Sequence, residues 1–449
     1  MPWKRVKIIT TIKNRRKVVT MKQQSSMKEM IAIASPYPDG QRLDTIIIGY
    51  NEEILGEKLS KEDFEVKDRT IVSVYSNSIP EPTKKPQNGK YVVLELDIKE
   101  ENAKIIPEPV RFGENNSEKD KFKKDKLEAE EPTSNLIPQG VPHLPQLKRR
   151  IIEETFCQKR DIETVIGNII SRELWEHKTT KVIQPVIDSF IQGSFQGISY
   201  NLYCPMEEPD RKYPLVVFVH DAGPNGDDPF LALAQGNGAT SFASPEDQNK
   251  HPAFVLAPQI PKNVYLTRDD FTCAEEIETI KALIDEIAEK YPVDYDRIYY
   301  TGQSQGCMAG CELNVRYPDY FAASLLAAGQ WNPETVGQAC HSCNFWILVS
   351  DGDKKAYPGM QAVTDALEQN GARAGRYHWN AKWSEERMRQ AVIEAAQDGC
   401  NIRFSVFDDH SVIPEGGEDN PGTNHMGTWP VVYSIQALRD WLFTQRKER

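Results

Sequence analysis

The stretch Tyr299-Tyr300-Thr301-Gly302-Gln303-Ser304-Gln305-Gly306 sets one serine between two glycines, with Cys307, Ala309, Gly310 and Cys311 close behind. A serine that attacks a substrate must lift its hydroxyl out of a tight turn between a strand and a helix. The positions two before and two after then crowd neighbouring backbone and must be small, which is the physical content of G-x-S-x-G. Here Ile298–Thr301 reads as a strand and the residues after Gly306 as a helix, the context a nucleophile at Ser304 requires. The competing reading is a fortuitous turn.

Serine alone is a weak nucleophile at neutral pH and needs a histidine base, itself held by an acid. Both are expected later in the chain, on loops that follow later strands. Phe345–Val349 is a late apolar strand and Ser350-Asp351-Gly352-Asp353 leaves its end, making Asp353 the preferred acid and Asp351 its rival. Of the eight histidines, only His410 and His425 follow the last strand. His425 is expected in a loop just before a final helix over 431–443, and is the preferred base. His410, in Phe407-Asp408-Asp409-His410, is expected to cap or orient that loop.

A tetrahedral intermediate also needs two N–H donors for its oxyanion. The backbone of Gln305 is one candidate. The other comes from His220-Asp221-Ala222-Gly223, which follows the apolar run 215–219, with Asp221 or Ala222 as donor. Gln330, Trp331 and Trp429 are candidate substrate-binding residues, each equally readable as a core or wall residue. Trp379 and Trp383 border a helical stretch, SEERMRQAVIEAAQ, readable as a lid or as an exposed amphipathic helix.

Among the elements that must carry these residues, Leu215-Val216-Val217-Phe218-Val219 is a continuous apolar run, as expected of a strand buried on both faces. The pattern recurs at 253–257, 298–301, 322–327, 345–349 and 402–407. Helical periodicity lies between, clearest in Ile277, Ile280, Leu283, Ile284, Ile287 and Ala288. Strands alternating with helices predict a mostly parallel sheet with helices on both faces. Upstream the texture differs: short strands at 31–35, 45–50, 70–75 and 91–96, separated by turn residues, predict an antiparallel sandwich. The expected domains are a basic, unstructured tail over 1–28, an all-β sandwich over 29–158 with a charged loop at 113–135, and an α/β domain over 159–449.

At 449 residues the chain is long enough for two cores. A net charge of −12 argues against nucleic acid or an anionic membrane as the main partner. No apolar run approaches a membrane span. Ile8-Ile9-Thr10-Thr11-Ile12 is cut short by Lys13, so no secretory signal is read. A cytoplasmic location is the expectation, with export from a longer precursor left open. The eight cysteines are too dilute for a disulfide scaffold. Cys340-His341-Ser342-Cys343 is read as a plain loop or a local disulfide rather than a metal site. No metal or cofactor is expected.

The chain resembles α/β-hydrolases of the carboxylesterase type that carry an N-terminal immunoglobulin-like domain. It is also similar to feruloyl-esterase-like and polyhydroxybutyrate-depolymerase-like enzymes. The stretches that carry the resemblance are YPLVVFVHDAG, HPAFVLAPQ, DRIYYTGQSQG, WILVSDGDKKAYPGM and NHMGTWPVVYSIQALRDWLF, with LSKEDFEV, RTIVSVYSN and NGKYVVLELD in the N-terminal part. The resemblance implies an α/β-hydrolase fold behind a sandwich domain, with Ser304 as nucleophile, Asp353 as acid and His425 as base. It implies a small-molecule ester as substrate and a role in assembly for the sandwich. One departure is plain: the oxyanion motif, commonly H-G-A-G or H-G-G-G, is H-D-A-G here. Two rivals stand beside ester hydrolysis: peptide hydrolysis of the prolyl-oligopeptidase type, since the same triad cleaves amides, and a non-catalytic polysaccharide-binding or assembly protein.

Overall fold

A computed structural model describes residues 26–107 and 147–447. The N-terminal part is built from β1 (Met27–Tyr37), β2 (Gly40–Ile54), β3 (Phe64–Val66), β4 (Ile71–Asn77), β5 (Gly89–Leu96), β6 (Thr155–Gln158), β7 (Ile162–Glu163), β8 (Ile169–Ile170), β9 (Glu173–Lys178) and β10 (Lys181–Ile183). One sheet runs β10-β1-β2-β5-β4 and a second runs β3-β6-β9. Side chains alternate across a strand, so Ile46, Ile48, Val92 and Leu94 face a core shared with Phe64, Val66 and Phe156. Ile31, Ile33, Ile47 and Val93 form a smaller cluster on the other side.

Two expected boundaries shift. β9 pairs with β6, and β10 pairs in parallel with β1, so the sandwich extends to Ile183 rather than stopping at 158. The short strands of this stretch lack the long apolar runs that announce a domain. Nor does the first domain wait for residue 29, since Met27 already pairs with Tyr50 and is buried. The charged stretch 113–135 and residues 1–25 of the expected tail lie outside the described residues.

The second domain is organised on β11 (Phe190–Phe195), β12 (Ile198–Tyr203), β13 (Tyr213–Val219), β14 (Phe254–Gln259), β15 (Val293–Gln303), β16 (Ala323–Ala327), β17 (Phe345–Ser350), β18 (Ala374–Trp379) and β19 (Ile402–Phe407). They form one nine-stranded sheet in the order β11-β12-β14-β13-β15-β16-β17-β19-β18. The β11–β12 and β12–β14 pairs are antiparallel, whereas from β14 through β18 every pair is parallel. The helices are α1 (Leu231–Ala234), α2 (Pro245–Lys250), α3 (Glu276–Lys290), α4 (Gln305–Arg316), α5 (Pro333–Cys340), α6 (Ala356–Gln369), α7 (Glu385–Ala396), α8 (Pro421–Ser434) and α9 (Gln436–Thr444).

Both faces of the sheet are covered, which explains the unbroken apolar runs. Val217 and Val219 pack with the α3 stripe, while Val216 and Phe218 face the side closed by α8 and α9. The stretch readable as a lid is α7. Its Met388, Ala391, Val392 and Ala395 are buried in the same layer as Trp379 and Trp441, so it packs against the flank of the sheet. Among the described residues, no helix is long and apolar enough to cross a membrane.

Candidate active site

Ser304 stands between the end of β15 and the first residue of α4, with φ at +49° and ψ at −115°. A side-chain-bearing residue at positive φ is strained, by about 1–3 kcal/mol, and such strain gathers at functional turns. The glycines make the turn possible. A Cβ on Gly302 would lie 2.5 Å from the Gly306 carbonyl oxygen. The strand-to-helix turn is further pinned by Tyr300, whose hydroxyl donates to the Gly306 carbonyl at 2.6 Å.

Ser304 Oγ lies 2.9 Å from His425 Nε2, and His425 Nδ1 lies 2.6 Å from Asp353 Oδ2. The carboxylate can only accept, so Nδ1 carries the proton and Nε2 is left to accept from the serine. Asp353 is 2% exposed and its second oxygen accepts the backbone N–H groups of Lys355 at 3.0 Å and Ala356 at 2.9 Å. Burial pushes this carboxyl upward, but the His425 hydrogen bond, its charge and the two N–H donors outweigh that and hold it below its ordinary range.

His425 sits in the second turn of α8, not in a loop ahead of the last helix. Asn420 caps this helix by accepting from the Thr423 N–H, and Pro421 takes its first position. That Asn-Pro pair is a readable start signal, obscured by the polar run before it. Asn424 anchors the same turn: its Oδ1 accepts from Ser350 Oγ at 2.8 Å and its Nδ2 donates to Asp419 at 3.1 Å. A Cβ on Gly352 would meet Asn424 at 2.1 Å.

The rival acid has another occupation. Asp351 accepts the backbone N–H groups of Asp409 and His410 at 2.9 and 3.2 Å, holding a turn in which both residues have positive φ. His410 Nδ1 in turn donates to Asp419 at 2.7 Å, which raises the His410 pKa. The 408–410 turn is thereby tied to the polar run before α8.

Sequence reasoning missed the way the loop from His220 to Gly226 is held. His220 is fully buried; its Nε2 accepts the Ile260 N–H at 3.1 Å and its Nδ1–H donates to the Asp221 carbonyl at 2.6 Å. Burial drives its pKa down and keeps it neutral. The Asp221 carboxylate accepts from the Gly223 N–H at 2.8 Å and from Gln303 Nε2 at 2.8 Å. The aspartate in H-D-A-G thus fastens the loop to the residue preceding Ser304. Gln305 does the same on the other side, donating to Asn225 at 3.1 Å and accepting from the Leu266 N–H at 3.1 Å. The two glutamines around the serine are clamps, a role that glutamine in a G-x-S-x-G repeat does not announce. Gln305 N–H opens α4, where no intrahelical carbonyl is available to it.

The three candidate substrate contacts separate. Trp429 lies one turn beyond His425, half-buried, with its ring edge-on to the imidazole at 5.2 Å between centroids. Gln330 is 8% exposed and donates to Asp269 at 3.1 Å; Asp269 also pairs with Lys355, beside Asp353. Trp331 is only 1% exposed, its indole N–H donating to Glu312 at 3.1 Å, and it belongs to the core. What faces outward there is Phe271, set at φ +65° and packed edge-on against Trp331.

The cysteine pair forms neither a disulfide nor a simple loop. Cys340 ends α5, Cys343 follows in a turn, and both are free and buried. Among the described residues, no group of three or more His, Cys, Asp or Glu is placed to hold a metal ion.

Residues 29–171 match the model of the esterase Ig-like N-terminal domain family. No curated protein sequence matches the chain. Among solved structures, a thermostable esterase superposes with a TM-score of 0.73 at 26% identity, over 93% of this chain and 100% of its own. Looser likenesses, too weak to bear on substrate, include the feruloyl esterase module from Clostridium thermocellum (TM-score 0.37, 14% identity, 58% of this chain and 89% of that one). An acylaminoacyl peptidase from Pyrococcus horikoshii matches at a TM-score of 0.41 and 12% identity, over 67% of this chain and 49% of its own. The architecture is an α/β-hydrolase fold preceded by an immunoglobulin-like domain.

Proposed function

We propose that this chain is a carboxylic ester hydrolase that works through an acyl-enzyme on Ser304, with small or aromatic acyl esters, feruloyl-type among them, as its substrates. The observation that carries this reading is the unbroken line from Ser304 Oγ through His425 to the buried Asp353, at 2.9 and 2.6 Å, on a strained strand-to-helix turn. The likeness to a thermostable esterase over nearly the whole chain favours esters.

In this reading Ser304 attacks the ester carbonyl as His425 Nε2 takes its proton. His425 then gives that proton to the departing alkoxide, leaving an acyl-serine. A water, activated by the same nitrogen, releases the acid and restores the serine. Asp353 stays ionised throughout and stabilises the imidazolium. The tetrahedral oxyanion is held by the N–H of Gln305, at the positive end of α4, and by the N–H of Ala222 or Asp221. Each such donor is worth about 2.7–4 kcal/mol. Trp429 and Phe271 offer apolar surface for the acyl or alcohol group.

The test is a panel of p-nitrophenyl esters of short, long and feruloyl acids beside a peptide anilide. Turnover of short or aromatic esters, absent in Ser304→Ala, is expected. Preferential cleavage of the anilide would replace the proposal with the peptidase reading, and no turnover at all would favour a binding protein.

A further inference from the structure

Resting on that reading, we propose that Arg149, whose guanidinium bridges Asp228 and Gln184, is a positioning residue for the reaction. It fixes the loop that carries the second oxyanion donor. Arg149 Nε donates to Asp228 Oδ2 at 2.7 Å and Nη2 donates to Asp228 Oδ1 at 3.2 Å. Its guanidinium also lies 4.5 Å from the centre of the Phe230 ring. The fork is partly sheltered, with side-chain exposures of 18% for Arg149 and 34% for Asp228. A planar guanidinium on a carboxylate and an aromatic face fixes direction as well as distance, which a lysine cannot do.

The same guanidinium is linked to the N-terminal domain. Its Nη1 donates to Gln184 Oε1 at 3.4 Å, which also accepts from Gln41 Nε2 at 3.1 Å, and Gln41 donates to the Ala34 carbonyl at 3.0 Å. Gln41 is 1% exposed, so the relay is rooted in the first sheet. A second contact lies further along the same segment. The Pro38 carbonyl of the β1–β2 turn lies so close to Gly236 that a Cβ there would be at 3.0 Å. Between these two anchors, Gln235 Oε1 accepts from Gln303 Nε2 at 3.0 Å, and Asp221 takes the same amide at 2.8 Å. Segment 221–236 is therefore held between the N-terminal domain and the residue preceding Ser304. Asp228 also accepts the Phe230 N–H at 3.0 Å, so the arginine grips a carboxylate that shapes the loop's own turn.

An oxyanion donor displaced by a fraction of an ångström loses transition-state stabilisation while substrate binding is little changed. In the full-length chain, Arg149→Met is expected to lower kcat on a short p-nitrophenyl ester about ten- to hundredfold, with KM within about twofold. It is also expected to speed backbone amide exchange across 221–236. Arg149→Lys should recover part of the rate. Asp228→Asn should match Arg149→Met, and the double variant should be no slower than either single variant. Unchanged kcat alongside a lowered melting temperature would make the pair merely structural and overturn the inference, as would unchanged exchange in 221–236. If the wild-type chain turns over no ester, the functional reading fails separately, and the exchange measurement still decides the coupling.

Discussion

A Cβ placed on Gly306 would fall 1.9 Å from the Val219 carbonyl oxygen. The turn that presents the serine and the strand that leads into the His220–Gly223 loop are thus packed backbone against backbone. Gly306→Ala must push them apart, because a carbonyl at a strand end cannot rotate away as a flexible side chain would. Activity is expected to fall at least about 10²-fold, the scale for one misplaced oxyanion donor. A kinetic assay on soluble protein, with circular dichroism to confirm folding, checks this.

Asp353→Asn removes the charge that opposes the imidazolium and allows the wrong tautomer of His425. A loss in kcat of about 10³–10⁴-fold is expected, with KM little changed. The carboxyl is held below its usual range in the folded protein. Its stabilising contribution is therefore full above the unfolded carboxyl value of about 4 and is lost as pH falls through the folded value. Any stability advantage of the wild type over Asp353→Asn should accordingly shrink as pH is lowered below about 4, measured by thermal melting across pH.

His220 makes a separate pH prediction. Its folded pKa is depressed by burial, so the unfolded chain takes up a proton more readily. Stability is full above about pH 6.5, the unfolded histidine value, and declines as pH falls. His220→Phe should flatten this part of the stability profile. It should also lower stability by about 1–3 kcal/mol at neutral pH, because the Ile260 N–H and Asp221 carbonyl lose a buried partner. Chemical denaturation at pH 7.5 and pH 5.5 measures both effects.

The buried thiols should be inert. The Cys311 thiol is pushed up by its hydrogen bond with Cys307 and by burial, and that of Cys340 by its bond with Cys343 and by burial. A thiol reagent is expected to leave the buried Cys307, Cys311, Cys340 and Cys343 unmodified in the native protein and to reach them after denaturation. Peptide mapping after timed labelling distinguishes them from the partly exposed Cys157, Cys204, Cys273 and Cys400.

The parts most legible in the sequence were those governed by local backbone geometry. Gly302 and Gly306 signal a crowded turn because no other residue fits there, and the unbroken apolar strands signal a sheet covered on both faces. Trp331 shows where that legibility ends. Its position after β16 suits a pocket, but it is buried in the core, its indole N–H held by Glu312 and its ring edge-on to Phe271, sixty positions earlier in the chain. The start of α8 was recoverable from Asn420-Pro421, yet the polar residues before it resemble a loop. The ties from Asp221 to Gln303 and from Arg149 to Asp228 could not be read, because each joins segments whose proximity only the folded chain creates.

The most direct measurement of the central claim is intact-mass and peptide analysis after treatment with a fluorophosphonate. A single phosphonyl adduct on Ser304, absent in Ser304→Ala and strongly slowed in His425→Ala, is the predicted result. An unmodified Ser304 in folded protein, or an adduct formed equally fast without His425, would contradict it.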